Sequence, residues 1–122
     1  GPAYMAQSNA ETVLLCQIES RAGVENIDAI LAVPGIDVAF IGPNDMTQDY
    51  EILGQFEHPE IVAAFEKIMA SAKSHGKYCG VHFGGLAPLK PWVARGMQMN
   101  MWNSDNGLLA AGAAVGMKEL GR

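Results

Sequence analysis

Residues 12–20 read TVLLCQIES, an apolar run that ends in a glutamine and a glutamate two positions apart. Both faces of the run are apolar where it begins, which predicts a buried parallel strand over residues 12–19. Because strand side chains alternate between two faces, Gln17 and Glu19 share one face. A carboxylate at the end of a buried strand is costly unless it is paired, hydrogen-bonded or bound to a metal. Glu19 is therefore the first candidate functional group.

Three further segments repeat this arrangement of a strand followed by a helix. The other predicted strands are residues 37–41, 78–83 and 97–102. Helices are predicted over residues 22–32, from Pro59 to the stop at Gly76, from Gly85 to before Gly96, and over 106–120. The first turn of the third helix is the place expected for Pro88 and Pro91. The polar connection 46–57 is predicted to be a loop at the functional face, with room for a short helical turn.

Alternating strands and helices indicate an α/β fold with a parallel sheet. Four such units form half of a (β/α)₈ barrel, which typically needs about 250 residues. An open doubly wound sheet is the other arrangement that uses four units. The first strand is not followed by a glycine-rich phosphate loop, which disfavours a nucleotide-binding version.

The bulk properties describe one ordinary globular domain of 122 residues with a net charge of −5. Residues 1–3 are set aside as a tag remnant or disordered N-terminus, and 4–122 are assigned to the half-barrel domain. The scattered Lys and Arg residues indicate neither a nucleic-acid nor a membrane partner, and no apolar run approaches the roughly 20 residues that span a bilayer. Cys16 and Cys79 lie in predicted strands and read as reduced core thiols, which favours a cytoplasmic protein.

Polar side chains follow all four predicted strands, where a parallel barrel places its functional rim. An ordinary core would not collect so many polar groups at four successive strand ends. The expected rim residues are Gln17, Glu19, Asn44, Asp45, His82, Asn103, Ser104 and Asp105.

Glu19 and Asp45 form the most informative pair in this set. Two carboxylates from neighbouring strand ends, with waters completing the sphere, suit Mg²⁺ or Mn²⁺. The alternative is that one of them pairs with Arg21 or caps a helix, and the pattern alone leaves both interpretations open. In the stretch Gly-Pro-Asn-Asp at 42–45, the backbone amides could face an anion, but ordinary turn chemistry explains the same residues equally well.

Other polar and bulky residues have simpler interpretations. His82 is either a rim base or substrate contact, or a structural histidine. Trp102 and the methionines at 97, 99 and 101 are expected to pack in the core. Ser104 or Asp105 is expected to cap the last helix, and His58 to cap the helix that begins at Pro59.

The motifs QIE at 17–19 and GPNDM at 42–46, at this separation, resemble those of the metal-dependent pyruvate aldolases of the HpcH/HpaI family, whose relatives include citrate-lyase-β-like enzymes. The resemblance extends from about Tyr4 to the C-terminus and includes GKYCGVHFGG and NSDNGLLAAGAAVGMKEL. It implies a (β/α)₈ barrel that cleaves or forms a carbon–carbon bond. In that family a divalent cation chelates pyruvate and stabilises its enolate.

Carried over by motif position, the resemblance implies roles for five residues. Glu19 and Asp45 match the two protein ligands of the cation, which would be Mg²⁺ or Mn²⁺, or else Co²⁺. Gln17 matches the glutamine that contacts the pyruvate end of the ligand. The backbone around Gly42, Asn44 and Asp45 matches the turn that receives the carboxylate of this 2-oxoacid.

The resemblance assigns no catalytic residue to this sequence. The family's arginine and acid–base histidine belong to the first half of the barrel, and neither Arg21 nor His82 occupies their motif positions. Trp102 and Asn103 stand where relatives have smaller residues, and they are expected to narrow or block the site. The isolated half-barrel is therefore expected to lack full activity.

Two functions follow from these observations. The first is a metal-dependent carbon–carbon lyase, present here as the C-terminal half of an aldolase. The alternative is a non-catalytic half-barrel that forms a homo-oligomeric structural or small-anion-binding module. An open sheet edge makes a lone monomer unfavourable, so the expected partner is a second copy or a complementing half-barrel chain. The family's assembly through its C-terminal helix implies that the Ala-rich stretch after Asp105 contributes to such contacts.

Overall fold

The structure is a computed structural model that describes residues 1–122, with four strands and seven helices. The strands are β1 (Leu15–Ile18), β2 (Val38–Ile41), β3 (Tyr78–Phe83) and β4 (Met99–Trp102). The helices are α1 (Pro2–Glu11), α2 (Arg21–Glu25), α3 (Ile27–Leu31), α4 (Pro43–Asp49), α5 (Pro59–Ser74), α6 (Leu86–Ala94) and α7 (Asp105–Glu119).

The four strands form one parallel sheet in the order β1-β2-β3-β4. Each strand therefore pairs with its neighbour in sequence, and the strand order never reverses. The buried core joins the helices to one face of this sheet only. A doubly wound sheet reverses its order and carries helices on both faces, whereas a barrel wall has helices on its outer face alone. The architecture is therefore four successive units of a (β/α)₈ barrel, as the sequence predicted.

The core forms because alternate strand residues meet the apolar side of α5. The sheet contributes Ile18, Ala39, Ile41, Cys79, Val81 and Phe83 to a cluster of 20 buried residues. From α5, Phe65 is fully buried and stacks on Phe83 with ring centroids 6.4 Å apart. Its other neighbour is the Trp92 ring of α6, at 4.6 Å. This aromatic group joins two helices to the third strand.

Several predicted caps are present. His58 precedes Pro59 and accepts a hydrogen bond from the Glu60 amide. Ser104, rather than Asp105, caps α7 by accepting from the Gly107 amide at 3.1 Å.

Three helices differ from the sequence expectation. The segment 22–32 forms two short helices that meet at Asn26. Pro91 lies inside α6, where it removes one backbone hydrogen bond, although it was expected near the first turn. The segment 43–49 is helical, so the Gly-Pro-Asn-Asp stretch begins α4 and is not an isolated turn.

The prediction that β1 is buried on both faces is wrong. β1 lies at the edge of the sheet, where Leu15 is 36% exposed, and Val13 and Leu14, which precede the regular strand, are 57% and 50% exposed. The regular strand also ends at Ile18, one residue before Glu19. At the opposite edge, Met97 packs in the core as expected, but Met101 and Trp102 of β4 are about half exposed.

The two terminal helices contain no buried residue. Pro2 and Ala3 lie in the first turn of α1, so the secondary structure shows no boundary at residue 4. Exposed apolar side chains on α7 include Leu109 and Val115. None of the seven helices combines the length and the apolar character needed to cross a membrane.

The aromatic group in the core gives a test of the fold. Phe65→Ala is expected to lower the free energy of unfolding by about 3–5 kcal/mol, because it leaves a cavity between Phe83 and Trp92. Urea unfolding followed by circular dichroism measures this change. Lys67→Ala, at an exposed position of the same helix, is the control and should change stability by less than about 0.5 kcal/mol. Equal effects of the two substitutions would contradict the assigned core.

Candidate functional site

The site begins at the carboxyl end of β1, where two polar side chains contact each other. Gln17 donates a hydrogen bond from Nε2 to Oε2 of Glu19 at 2.6 Å. Glu19 is half-buried and has no cationic partner within ion-pair distance. The glutamine amide therefore orients the carboxylate of Glu19 without neutralising its charge.

Gly42, at the end of β2, holds the backbone close to this pair. The Gly42 amide donates to the Ile18 carbonyl at 3.1 Å, which continues the pairing of β1 with β2. A Cβ atom at position 42 would lie 2.8 Å from Nε2 of Gln17 and 2.8 Å from Oε2 of Glu19. These distances are shorter than real Cβ contacts. Position 42 can therefore hold only glycine as long as the side chains of Gln17 and Glu19 stay where they are.

Helix α4 places a second carboxylate beside the first. Pro43 occupies its first position, and the buried side chains of Met46 and Thr47 anchor it to the rest of the chain. On the opposite side, Asp45 and Asp49 are four residues apart and share one helix face. Asp49 was not predicted from the sequence, although Pro43 at a first helical position was the signal that could have revealed this spacing.

Glu19 and Asp45 line one open cavity of about 350 Å³, which we call the carboxylate cavity. Its other lining residues are Ser20, Gln48 and Asp49, so no apolar side chain contributes. Asp49 is already engaged, because its Oδ2 accepts a hydrogen bond from the Arg21 amide at 2.7 Å. Glu19 and Asp45 are therefore the carboxylates of this cavity that lack a cationic or backbone partner.

The alternative pairing with Arg21 is not observed. Arg21 forms an ion pair with Glu60 at 3.1 Å, and its guanidinium lies 3.9 Å from the ring centroid of Tyr50. Burial raises the pKa of the Tyr50 hydroxyl, so this ring stays neutral beneath the guanidinium. The cation nearest in sequence to Glu19 is thus directed away from it.

The donor set fits a hard divalent cation. Carboxylate oxygens are the ligands that Mg²⁺ and Mn²⁺ prefer, and Mg²⁺ commonly takes one or two of them and completes its sphere with water and substrate. No group of three or more His, Cys, Asp or Glu side chains is arranged to hold a metal. Glu19 and Asp45 are therefore the two carboxylates that remain as candidate ligands in this cavity.

A second cavity of about 190 Å³, the strand-end cavity, adjoins the first through Asp45, which lines both. It brings together the predicted residues Gln17, Gly42, Asn44 and Asp45. Its remaining lining residues are Phe40, Ile41, Pro43, His82 and Met101. The sequence analysis did not place Phe40 or Met101 here, since it treated apolar strand residues as core.

The fourth strand end contributes less than predicted. Asn103, Ser104 and Asp105 do not line the strand-end cavity. Ser104 caps α7, and the Asn103 side chain accepts from the Ser104 amide at 2.8 Å. The Asn103 carbonyl instead lies 3.0 Å from Nε2 of His82. Asn103 and Ser104 therefore support the strand end, and Met101 is the residue that β4 contributes to the site.

Neither cysteine is suited to nucleophilic chemistry. Cys79 is buried, and this burial raises the pKa of its thiol to about 12. Cys16 packs against the same core, and both thiols are free. The ionisable groups of the site are thus its carboxylates and His82.

Comparison with known proteins places this geometry among aldolases. The sequence profile of the HpcH/HpaI aldolase/citrate lyase family matches residues 2–111. A 5-keto-4-deoxy-D-glucarate aldolase from Citrobacter koseri is 40% identical over 116 residues, which cover 95% of this chain and 42% of that protein. The enzyme of the same name from Salmonella arizonae is 39% identical, and the match covers 91% of this chain and 43% of the Salmonella enzyme. The chain thus spans less than half the length of these relatives.

Solved structures agree with the sequence comparison. An HpcH/HpaI aldolase from Desulfitobacterium hafniense superposes with a TM-score of 0.84 at 36% identity, covering 98% of this chain and 46% of its own. A HpcH/HpaI aldolase/citrate lyase family protein from Burkholderia cenocepacia gives 0.87 at 27% identity, with the same shares covered.

Gly42 gives a direct test of the site geometry. Gly42→Ala is expected to displace the Gln17 and Glu19 side chains and to weaken Mg²⁺ binding about tenfold, equivalent to about 1.4 kcal/mol. Isothermal titration calorimetry measures the affinity. Some loss of stability is also expected, because the added Cβ would lie 3.0 Å from the Cβ of Glu19, which is held by the backbone. Gly84→Ala is the control, since nothing lies within 4 Å of its added Cβ and its affinity should be unchanged. Unaltered Mg²⁺ binding in Gly42→Ala would contradict the arrangement.

Proposed function

The chain belongs to the HpcH/HpaI aldolase/citrate lyase family, and on that premise we propose that its site binds a divalent cation together with a pyruvate-like 2-oxoacid, for carbon–carbon bond cleavage of the aldolase type. One observation carries the proposal. The carboxylates of Glu19 and Asp45, both without a cationic partner, line one open polar cavity beside Gln17 and the Gly42 backbone.

The cation proposed is Mg²⁺ or Mn²⁺, with Co²⁺ as a further candidate, held by Glu19 and Asp45. A bound divalent cation would polarise the keto group and stabilise the negative charge of the enolate formed when the carbon–carbon bond breaks. The glutamine hydrogen bond to Oε2 of Glu19 fixes the carboxylate orientation before any ligand enters.

The 2-oxoacid is proposed to lie in the strand-end cavity with its carboxylate at the start of α4. Backbone amides in the first turn of a helix lack partners within the helix, and Asn44 and Asp45 of that turn line this cavity. Gln17 lies at the wall where the pyruvate end would sit. These contacts support substrate binding by Gln17, Gly42 and Asn44, and bond cleavage itself is proposed to belong to groups outside this set.

Turnover is proposed to need residues beyond this chain's share of the barrel. The chain covers 42% of a curated relative, and the inner face of its sheet has no covering element. A complementing half-barrel or a second copy would supply that cover. We therefore expect ligand binding by the chain alone with little cleavage, and a cytoplasmic setting in which both thiols stay reduced.

The exposed apolar residues favour one alternative function, a non-catalytic homo-oligomeric module that binds small anions. Its supporting observation is α7, which buries none of its residues although it carries Leu108, Leu109, Val115 and Met117. Self-association of α7 is compatible with both functions, so metal binding separates them.

Removing either carboxylate should abolish metal binding. In the unsubstituted chain, Mg²⁺ or Mn²⁺ is expected to raise the melting temperature, and oxalate, which resembles the pyruvate enolate, should enlarge the shift. Glu19→Gln and Asp45→Asn should each remove both effects, because one carboxylate and water bind these ions weakly. Differential scanning fluorimetry measures the shift.

The matched control is Glu57→Gln, which removes one negative charge from an exposed position outside both cavities. It should retain the full response to metal and oxalate. A metal response that persists in both site variants would exclude the ligand assignment. A chain that binds oxalate without metal would instead support the anion-binding module.

The apolar side of α7 is expected to hold an oligomer together. Leu109→Lys should shift the chain toward monomer, because Leu109 is 72% exposed and a charge there would oppose burial against a partner. Size-exclusion chromatography with light scattering measures the mass. Leu53→Lys, at a position 69% exposed in the loop before α5, is the control and should leave the mass unchanged. A monomeric unsubstituted chain would contradict the oligomer.

A further inference from the structure

His82 has one ring nitrogen committed to the protein and one free. Its Nε2 lies 3.0 Å from the carbonyl oxygen of Asn103. A carbonyl only accepts hydrogen bonds, so Nε2 carries the hydrogen, and in the neutral imidazole Nδ1 is then an unprotonated acceptor. No protein group bonds Nδ1, and it is not among the buried unpaired atoms, so it is open to solvent.

The backbone makes this tautomer a fixed feature of the site. Asn103 adopts a left-handed conformation with φ of 60°, directly after the last residue of β4. Its amide donates to the Phe83 carbonyl at 3.0 Å, which ties residue 103 to the end of β3. The carbonyl that selects the His82 tautomer is thus held by the strand pairing itself.

The register places His82 beside the proposed ligand. Phe40 pairs with Gly80 and Ile41 with Val81, so the next residues along the two strands, Gly42 and His82, are level. Both line the strand-end cavity, and Glu19 lines the carboxylate cavity, which shares Asp45 with it. A 2-oxoacid with its carboxylate at Gly42 and its keto group toward Asp45 therefore has room to extend along β3.

The strand neighbours of His82 offer no acceptor. Met101 is its register partner on β4, and Phe40 lies on the neighbouring strand. Both are apolar and line the same cavity. Nδ1 is therefore the side-chain acceptor that β3 and β4 contribute to the cavity, and it fits a ligand that carries a hydroxyl group there.

We propose that His82 is a specificity residue that accepts, at Nδ1, a hydrogen bond from the 4-hydroxyl group of a 4-hydroxy-2-oxoacid. The inference rests on the proposed function, because aldol cleavage requires a hydroxyl on the carbon beyond the bond that breaks. It adds that this chain's own half of the barrel recognises the part of the substrate that leaves as the aldehyde.

A pair of ligands that differ by one hydroxyl tests the inference. The full chain with Mg²⁺ is titrated with 4-hydroxy-2-oxobutanoate and with 2-oxobutanoate, and ligand-observed NMR reports both affinity and chemical integrity. The hydroxylated acid should bind about 5–10-fold more tightly, the range expected for one neutral hydrogen bond. The ¹⁵N resonance of His82 Nδ1 should shift with the hydroxylated acid and not with its deoxy analogue.

Three variants complete the experiment. His82→Leu should remove the preference while 2-oxobutanoate binds as before, and His82→Gln, which retains an acceptor oxygen, should keep part of it. His75→Gln is the control, since His75 lies at the C-terminal end of α5, outside the cavity, and its ring bonds the Ser71 carbonyl. The His75→Gln variant should prefer the hydroxylated acid as strongly as the unsubstituted chain does. If His82→Leu does not fold, the His82→Gln affinities and the Nδ1 resonance decide.

The outcomes separate this inference from the proposed function. Equal binding of the two acids by the unsubstituted chain, or a preference that survives in His82→Leu, would overturn the role of His82 and leave the metal and 2-oxoacid site intact. Binding of neither acid would overturn the proposed function and this inference with it.

Discussion

The close approach of the Gly42 backbone to the end of β1 is the constraint on which the site depends. Parallel pairing sets it, because Ile18 and Ile41 are register partners and the Gly42 amide donates to the Ile18 carbonyl. Gly42 has no Cβ atom, so the side chains of Gln17 and Glu19 can lie against its backbone where the chain enters α4. The same turn brings Asp45 toward Glu19. Strand register, helix start and carboxylate placement are thus consequences of one contact between neighbouring strands.

The distribution of charge around this contact favours a cation. Glu19 and Asp45 are left without cationic partners, while nearby Arg21 is held by Glu60 and by the Tyr50 ring. A protein that used these carboxylates for stability would pair them, since an unpaired charge contributes nothing to the fold and costs desolvation. The arrangement separates the stabilising ion pairs from the carboxylates that remain free to bind. This separation supports a binding role for the two carboxylates more directly than the motif does.

The sequence predicted those features that local contacts determine, and it failed for those that contacts between distant segments determine. The strands and α5 were predicted, because apolar periodicity, Pro59 and Gly76 act within their own segments. The burial of β1 was predicted wrongly, because burial is fixed by elements elsewhere and β1 forms an edge. The start of helix α4 at Pro43 was missed because Gly-Pro-Asn-Asp is equally typical of a turn. Glu19 and Asp45 were identified by motif, but the bond from Gln17 to Glu19 and the carbonyl that orients His82 depend on side-chain and backbone positions that no pattern specifies.

The site residues come from consecutive strands of the sheet, so the pairing of neighbouring strands is enough to position them. Gln17, Gly42, Asp45 and His82 are positioned by the pairing of β1 with β2 and of β2 with β3, and by the core on the helical face. None of these contacts needs the bare inner face of the sheet to be covered. The geometry that would hold a metal and a 2-oxoacid is therefore organised within this half of a barrel. Under the proposed function, the groups that act on the reacting carbon atoms would come from outside this chain's share of the barrel. Ligand recognition and bond cleavage would then belong to different halves of one barrel, and closure of the barrel is the step that would join them.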